Sequence, residues 1–415
     1  MMRRSFVRVG AVRRAERAKR YCQPAKGDSS SGYQGQSRLL VVAAVVSLAT
    51  LPVSTQSNSV PALVVTAYNG APSTHYIAPK TPWGDPDLQG VWSSDDTSGI
   101  PLSRPQTFGE RLYQTDEEYA ARVKQIENGV KNGESAVGSF RGDFARRAFR
   151  QTSLVVDPPD GRMPPPTAEA KLRAAPRDQG TFGVGPFEST EDFTLYDRCI
   201  TRGIVGSVLR VVYGNGNRIV QAPGLVAISY EMIHDTRVFY TDGRPHVSQA
   251  IRQYLGDSRA RWEGDVLTVE TTNLTNKTSI GMNGNGLRHS DTMKVTERFK
   301  RVANDVLQYQ ITVDDPVTYG KAFTLSMPLT PLDGGVLLPY ECHEGNYAVR
   351  QSLGAERAED RALEEDLAKG IKRARRPVQD GLGVGGQPIG EGGPGGRGRG
   401  FGPGGPGADG PPPGQ

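Results

Sequence analysis

Apolar and polar residues alternate along much of the second half of the chain with the period of two that is typical of β-strands. The alternation is clearest at residues 267–271, 293–299, 307–313 and 323–329. Because successive side chains of a strand point to opposite faces, each of these segments is predicted to have one buried and one hydrated face. The pattern therefore predicts a mainly β protein.

Turn signals such as Asp242-Gly243 and Asp333-Gly334 separate short runs rich in β-branched and aromatic residues. No helical pattern intervenes, so we expect an antiparallel meander that forms a barrel or a strongly curved sheet, since closure removes exposed strand edges. A two-sheet sandwich is the alternative. The candidate strands are residues 208–213, 218–221, 226–232, 237–241, 259–262, 266–273, 292–302, 306–314, 323–329 and 336–340.

An N-terminal extended arm is predicted ahead of the β region. Residues 58–110 are rich in Pro, Gly, Asp and Ser, which is typical of extended segments punctuated by turns. Trp83 and Trp92 lie in this arm, and we expect them to anchor it on the body, since each ring buries a large apolar area.

A few peripheral helices complete the predicted architecture. Thr115 and Glu118 have the spacing of a capping box, which predicts a helix from this point to about Asn128. Thr167 is expected to cap a shorter helix. A charged helix with a narrow stripe of Ala and Leu is predicted within residues 351–376.

Glycine and proline are unevenly distributed along the 415-residue chain, which contains 51 glycines and 30 prolines. The segment after Pro377 has too few apolar residues to offset its ordering entropy, so a disordered tail is predicted. The sequence therefore divides into a signal or targeting region at 1–57, the arm and short helices packed on the body at 58–193, the antiparallel β body at 194–350, the charged helix at 351–376 and the Gly/Pro-rich tail at 377–415.

The formal net charge of +5 would suit a nucleic-acid partner only if the basic residues clustered on the folded body. The clusters instead lie ahead of the apolar run at residues 39–53 and after the predicted charged helix. We therefore predict no nucleic-acid partner.

The apolar run at residues 39–53 follows Arg38 and precedes small polar residues, which is the organisation of a secretory signal. It is shorter than the roughly 20 residues that cross a bilayer. Membrane contact is thus expected only through the export signal, with an uncleaved anchor as the alternative. Cleavage near residue 57 would leave an exported protein, either periplasmic or extracellular.

Cysteine usage agrees with export. Of the three cysteines, Cys22 would leave with the signal, so Cys199 and Cys342 stay as an even pair in an oxidising compartment. The two positions bracket the predicted β region, whose first and last strands become neighbours when a barrel closes. We predict a disulfide between Cys199 and Cys342; two buried free thiols are the alternative.

Polar residues suited to chemistry concentrate between the predicted strands, as in the turn at His234-Asp235 and the segment after residue 340. Neither segment matches a metal-binding signature, so no metal is predicted, and the sequence identifies no cofactor. The candidate catalytic residues are His234, Asp235 and Glu297, and the candidate ligand-binding residues are Arg237, Arg244, His246, His343, Glu344, Asn346 and Tyr347.

Glu297 stands out because the period of two places it on the same face as Val295 and Phe299. A carboxylate on an apolar face must be paired, protonated or functional. One interpretation is an interior ion pair with an arginine such as Arg261 or Arg288. The other is an acid, base or polar anchor inside a barrel cavity.

Three classes of function follow from these residues. Binding of a small-molecule ligand in a barrel pocket at one mouth is favoured, because polar residues lie at strand ends and no nucleophile elbow, P-loop or dinucleotide fingerprint occurs. A hydrolase or lyase with a His/Glu acid–base site is the first alternative. A structural cell-envelope protein is the second, so whether the chain is an enzyme stays open.

Seven motifs within residues 80–360 resemble, as a set, an uncharacterised family of exported bacterial proteins. The resemblance implies export and a single integrated body, and it brings no activity or site residues with it. The long basic region before the apolar run and the Gly/Pro-rich tail depart from the pattern of that family. The motifs are TPWGDPDLQGVW, TSLVVDPPDGRMPP, IHDTR, DGRPH, GDSRARWEGDVLTVETTN, TVDDPVTY and CHEGNY.

Overall fold

The computed structural model describes residues 76–131, 146–174, 187–211, 213–281 and 286–375. These residues all belong to one of two units, Asn58–Gln415. The predicted signal region at 1–57 and the predicted tail at 377–415 lie outside the described residues. No helix within the described ranges is both long and apolar enough to cross a membrane.

Ten strands form one sheet, and nine of them close into a barrel in the order β1-β3-β4-β5-β6-β7-β8-β9-β10, with β1 paired to β10. The tenth strand, β2, lies outside the ring on the edge of β10. The strands are β1 (Gly90–Ser93), β2 (Val155–Asp157), β3 (Gly216–Ala222), β4 (Leu225–Tyr230), β5 (Thr236–Tyr240), β6 (Asp257–Glu263), β7 (Val266–Thr272), β8 (Lys294–Ala303), β9 (Val306–Asp314) and β10 (Phe323–Pro331). The predicted barrel is confirmed, and the two-sheet sandwich is excluded.

Almost every neighbouring pair in the barrel is antiparallel, as the meander predicts. The exception is β5 and β6, which are parallel and share the single bridge between Tyr240 and Arg259. The chain between these strands crosses from the end of β5 back to the level of its start, because parallel strands cannot be joined by a tight turn. This crossover, residues 241–256, also forms one wall of the candidate site.

The N-terminal arm supplies the strand that closes the barrel. β1 pairs with β3 along its whole length and with the end of β10 through Trp92 and Ser93. Trp92 is buried and donates its indole N–H to the Leu88 carbonyl at 3.0 Å. The arm therefore belongs to the barrel, whereas the sequence suggested only a segment packed against it.

Two predicted strands are wrong. Val208 instead ends a short helix, and residues 209–211 follow it as irregular chain, where the Val211 N–H donates to the Asn215 side chain at 2.7 Å. Residues 336–340 are irregular as well. Val211 and Tyr340 both contact a small cluster with Met232, apart from the main core, so their apolar character reflects this cluster and not strand pairing.

The helices agree with the capping signals. At the first helix, the Glu118 N–H donates to Thr115 Oγ1 at 3.3 Å and the Thr115 N–H donates to Glu118 Oε2 at 2.8 Å, which confirms the capping box. The Ala170 N–H donates to Thr167 Oγ1 at 3.1 Å, which confirms the second cap. The helices are α1 (Asp116–Lys131), α2 (Ala168–Ala174), α3 (Gly203–Val208), α4 (Pro316–Tyr319) and α5 (Ala348–Ala368).

The interior of the barrel is packed with side chains. Inward positions of β5, β7, β8 and β9 include Phe239, Leu267, Phe299 and Tyr309, all of which are fully buried. Phe299 packs on Tyr309 with 4.8 Å between ring centroids. The small gap beside Phe239, Leu267 and Phe299 has no room for a water molecule. The described interior of the barrel at this gap therefore offers no space for a ligand.

Candidate functional site

A cleft of about 550 Å³ opens at the rim where β5 begins and β7 ends. This volume lies within the range of small-molecule sites, roughly 300 to 1,000 Å³. Three loops and the start of β5 contribute to it. We call it the rim cleft; it is lined by Ile200, Thr201, Asp235, Arg252, Gln253, Tyr254, Leu255, Thr275 and Lys277.

The crossover wall of the rim cleft is held in place by Asn273, the residue after β7. Its side-chain amide donates to the carbonyls of Val247, Ser248 and Ile251 at 3.2, 2.9 and 3.1 Å. One side chain thus binds three carbonyl groups of a segment that has no regular structure of its own. The wall is ordered although it is a loop.

Asp257, the first residue of β6, fastens the same wall from its other end. Its Oδ2 accepts hydrogen bonds from His246 Nδ1 at 2.8 Å and from the Val247 N–H at 3.1 Å. The preceding Gly256 has a φ of +65°, and a Cβ there would lie 2.4 Å from the Thr272 carbonyl oxygen. Only glycine allows the crossover to approach the end of β7 so closely.

The opposite wall is tied down by the predicted disulfide. Cys199 and Cys342 are bonded, with Cα atoms 5.6 Å apart, which confirms the pairing and excludes two free thiols. Neither cysteine lies in a first or last strand, so the geometric reason given for the pairing is wrong: β1 closes the barrel. The Asn346 amide donates to the Asp197 carbonyl at 3.0 Å and to Cys199 Sγ at 3.2 Å.

Asp235 provides the carboxylate of the rim cleft. Its Oδ2 accepts a hydrogen bond from Thr201 Oγ1 at 2.6 Å, and its Oδ1 has no hydrogen-bond partner among the described residues. Burial raises the pKa of Asp235, while the Thr201 hydroxyl and the cations of His234 and Arg202 oppose this effect. The free oxygen is available to accept a hydrogen bond from a ligand.

Two cationic side chains line the rim cleft. Arg252 is fixed through Nη1, which donates to the carbonyls of Leu274, at 3.1 Å, and Asp291. Its Nη2 lies 3.5 Å from an exposed Asp291 carboxylate oxygen. Lys277 is exposed and makes no ion pair within the described ranges. The hydroxyl of half-buried Tyr254 likewise has no hydrogen-bond partner there.

A third cation, Arg202, follows the lining residue Thr201 and is only 1% exposed. Burial lowers its pKa to about 10, although Tyr196, Tyr340 and Asp235 favour the charged form. Its Nη2 donates to the Leu209 carbonyl at 3.3 Å. Its Nε, like the lining Thr275 Oγ1, is buried without a hydrogen-bond partner in the described structure. Unsatisfied buried polar atoms are rare and call for an explanation.

Backbone strain is concentrated at the same place. In the described part of the chain, four residues other than glycine have positive φ: Cys199 (57°), Ile233 (67°), His234 (47°) and Asn273 (58°). Each lies within two residues of a side chain that lines the rim cleft. Such conformations cost about 1 to 3 kcal/mol each and cluster at functional sites. The strain therefore marks this cleft among the surfaces of the molecule.

Glu297 lies elsewhere, inside the packed barrel and fully buried. It forms an ion pair with Arg237, so the interior ion pair predicted from sequence is present but its partner is neither Arg261 nor Arg288. Arg261 instead pairs with exposed carboxylates on the barrel surface. Glu297 and Arg237 do not line the rim cleft.

The other predicted site residues fall into two groups. His234 Nδ1 is 3.1 Å from the Tyr340 carbonyl oxygen, which links the strained turn to the segment that carries Cys342. Arg244 pairs with Asp242 and stacks over Tyr240, 3.9 Å from the ring centroid, past the far end of β5. Of the predicted site residues, Asp235 thus lines the rim cleft, whereas His234, Arg244, His246 and Asn346 do not. The side chains of His343, Glu344 and Tyr347 are exposed.

Sequence reasoning missed most of the residues that line the cleft: Thr201, Arg252, Tyr254 and Lys277 lie in loops without a recognisable motif. The nearest signal was the glycine at 256, whose positive φ sets the path of the crossover. Among the described residues, no group of three or more His, Cys, Asp or Glu side chains could hold a metal ion.

Comparisons with known proteins return nothing: no family model matches the chain, and no curated protein or solved structure is significantly similar to it. The resemblance to a family of exported bacterial proteins therefore stays a prediction.

Proposed function

We propose that this protein binds a small polar molecule in the rim cleft. The observation that carries the proposal is the coincidence of backbone strain with the cleft: each of the four non-glycine residues with positive φ in the described chain lies within two positions in sequence of a residue that lines it. Strain of this kind persists only where the surrounding structure enforces it, and a binding site benefits from walls that are already in place.

The fixed walls support the same proposal. Asn273 holds the crossover through three hydrogen bonds, and the Cys199–Cys342 disulfide holds the opposite side. Loops fixed in this way lose little conformational entropy when a ligand binds, so more of the interaction energy appears as affinity. The packed barrel serves as the scaffold that positions them.

Acid–base catalysis is a second candidate, because Asp235 combines a raised pKa with a position in the cleft. A carboxyl group that keeps its proton closer to neutral pH is a better general acid. Arg252 or Lys277 would then stabilise an anion formed in the reaction. Glu297, which the sequence offered for this role, is fully buried and ion-paired and does not reach the cleft.

Export belongs to the proposal as well. A disulfide between Cys199 and Cys342 persists in an oxidising compartment, which fits a periplasmic or extracellular protein. The structural envelope hypothesis is weaker, because the arm on which it relied is built into the barrel through β1.

A ligand screen with a cleft-filling variant tests the function. The full chain is mixed with a library of polar metabolites, and binding is followed by ligand-observed NMR. Gln253→Trp places an indole in the cleft from an exposed position, so it should abolish binding without unfolding the protein. Gln106→Trp, at an exposed position away from the cleft, is the matched control and should bind as the wild type does.

Two results would contradict the proposal. One is that no metabolite binds to the folded wild-type protein. The other is that Gln253→Trp and Gln106→Trp bind the same metabolites equally well, which would place the binding site elsewhere.

A further inference from the structure

We infer that the ligand of the rim cleft is a hydroxylated organic acid, whose carboxylate lies between Arg252 and Lys277 while a hydroxyl donates to Asp235. The inference rests on the proposed function and names its ligand class. It follows from which polar groups of the cleft are already used within the protein and which are left for a partner.

The charge of the lining favours an anion. Two cationic side chains, Arg252 and Lys277, face a single carboxylate, Asp235. The buried cation of Arg202 follows the lining residue Thr201 in sequence and interacts electrostatically with Asp235. Asp291, whose carboxylate is 3.5 Å from Arg252, is not a lining residue, so the lining itself carries one net positive charge. The local potential is therefore positive, which attracts anionic ligands.

Arg252 is prepared for a carboxylate. The hydrogen bonds from Nη1 to backbone carbonyls hold the guanidinium plane in one orientation, and Nε has no partner among the described residues. A fixed guanidinium that keeps unused donors suits the planar geometry of a carboxylate. Lys277 adds a flexible point charge that can close on the same anion.

The remaining free groups favour hydroxyl groups on the rest of the ligand. Oδ1 of Asp235 is an unused acceptor, and the Tyr254 hydroxyl and the exposed Gln253 amide can each donate and accept. The lining also includes Ile200 and Leu255, which offer apolar contact to a carbon skeleton. A simple fatty acid would leave the polar groups unpaired, which lowers its affinity.

Three linear six-carbon probes separate these contributions. Gluconate carries both the carboxylate and the hydroxyls, sorbitol replaces the carboxylate by a hydroxymethyl group, and hexanoate keeps the carboxylate but has no hydroxyls. Isothermal titration calorimetry on the full chain should give the tightest binding for gluconate. Sorbitol and hexanoate should each bind about tenfold more weakly or worse, since each loses charge-assisted hydrogen bonds.

Variants of the cleft test which side chain binds the carboxylate end of the ligand and which binds its hydroxyl groups. Lys277→Met should weaken gluconate by about tenfold and leave sorbitol almost unchanged, because it removes the charge and keeps the length of the side chain. Asp235→Asn should weaken gluconate and sorbitol and leave hexanoate unchanged. Lys124→Met, on the exposed face of α1, is the matched control and should alter none of the three affinities.

The outcomes distinguish this inference from the proposed function. If sorbitol binds as tightly as gluconate and Gln253→Trp abolishes the binding of both, the cleft is a binding site but its ligand does not need a carboxylate. If library metabolites bind in the cleft while gluconate does not, the ligand class is wrong again. If nothing binds, both proposals fail. Gluconate binding that Lys277→Met and Asp235→Asn weaken as described supports the inference.

Discussion

Arg237 and Glu297 form a bidentate ion pair inside the barrel, with Nη1 2.9 Å from Oε1 and Nη2 2.6 Å from Oε2. Tyr309 donates its hydroxyl to Glu297 Oε1 at 2.9 Å, and Arg237 Nη1 donates to the Tyr230 hydroxyl at 3.2 Å. Arg237 lies on β5 and Glu297 on β8, with β6 and β7 between them in the sheet, so the contact crosses the interior of the barrel.

The same arginine spans the weakest strand pairing. β5 and β6 share a single bridge, and Arg237 on β5 donates from Nη2 to Ser258 Oγ on β6 at 3.2 Å and to Thr271 Oγ1 on β7 at 3.0 Å. Side-chain hydrogen bonds thus connect strands that few backbone hydrogen bonds join. The network holds the barrel closed at the point where the crossover leaves it.

We expect Glu297→Gln to lower the free energy of unfolding by about 3 to 5 kcal/mol, because it leaves the Arg237 cation buried without its counter-ion. Tyr309→Phe removes one hydrogen bond but keeps the pair, so it should cost about 1.5 to 3 kcal/mol. Denaturation in guanidinium chloride measures both. A loss below about 1 kcal/mol for Glu297→Gln would show that the pair is not needed for stability.

The disulfide closes a loop of 143 residues. In the chain-entropy model, its removal by Cys342→Ser should lower the free energy of unfolding by about 5 kcal/mol. The double variant Cys199→Ser/Cys342→Ser should lose no more than the single variant, since one bond is lost in each. Equal stability of the wild type and both variants under non-reducing conditions would contradict this expectation.

His289 makes stability depend on pH. Its Nδ1 donates to the Ser290 carbonyl at 2.7 Å, and its Nε2 is hydrogen-bonded to the Thr278 hydroxyl. Burial lowers its pKa below the ordinary 6.5, against the opposing effects of the Ser290 carbonyl and Asp315. Above pH 6.5 neither the folded nor the unfolded state carries the proton, and the contribution of His289 to stability is complete.

As the pH falls through and below 6.5, His289 binds a proton in the unfolded chain but stays unprotonated in the folded chain. The free energy of unfolding should therefore fall, by at most about 1.4 kcal/mol per pH unit for one proton. Urea denaturation of wild type and His289→Gln between pH 7 and pH 5 measures the difference. Identical pH profiles for the two proteins would show that His289 is not the source.

Substitution by glycine should change the stability of the protein differently at two residues with positive φ. His234→Gly relieves a left-handed conformation that costs about 1 to 2 kcal/mol and loses one exposed hydrogen bond, so stability should stay within about 1 kcal/mol of wild type or rise. Asn273→Gly relieves similar strain but loses three hydrogen bonds to the crossover, so it should lower stability by about 1 to 3 kcal/mol.

Thermal unfolding compares these two variants, and gluconate binding shows whether the wall of the rim cleft has moved. Asn273→Gly should weaken binding because the crossover carries Arg252 and Tyr254. If Asn273→Gly is as stable as His234→Gly, the three hydrogen bonds do not hold the crossover.

The barrel was predictable because a strand with one buried face leaves a period of two in the sequence. Strands β7 to β10 carry this pattern clearly, and their boundaries differ from the prediction by two residues or fewer. The apolar runs at 208–213 and 336–340 were wrongly predicted as strands, because a short apolar run can also pack in a small hydrophobic cluster apart from the main core. β1 was missed since its partners, β3 and β10, are distant in the sequence.

Fewer features of the candidate site than of the barrel could be predicted from the sequence. The pattern around Glu297 showed that a buried carboxylate needed a partner, but the partner depends on which strands face each other across the closed barrel. Asp235 was found because it is polar and lies between strands. No sequence motif identified Arg252 or Lys277 as site residues. Their loops are brought together by tertiary contacts, namely the hydrogen bonds from Asn273 and the path of the chain at Gly256.

Closure of the barrel through β1 also orders events during synthesis. The ribosome makes Ser93 early and Pro331 late, yet β1 must pair with the end of β10. At about 5 to 20 residues per second, the interval is roughly ten to fifty seconds. Throughout it, the nascent chain carries an incomplete sheet whose open edge can pair with another chain or recruit a chaperone. The barrel therefore cannot close before the chain has been made as far as Pro331.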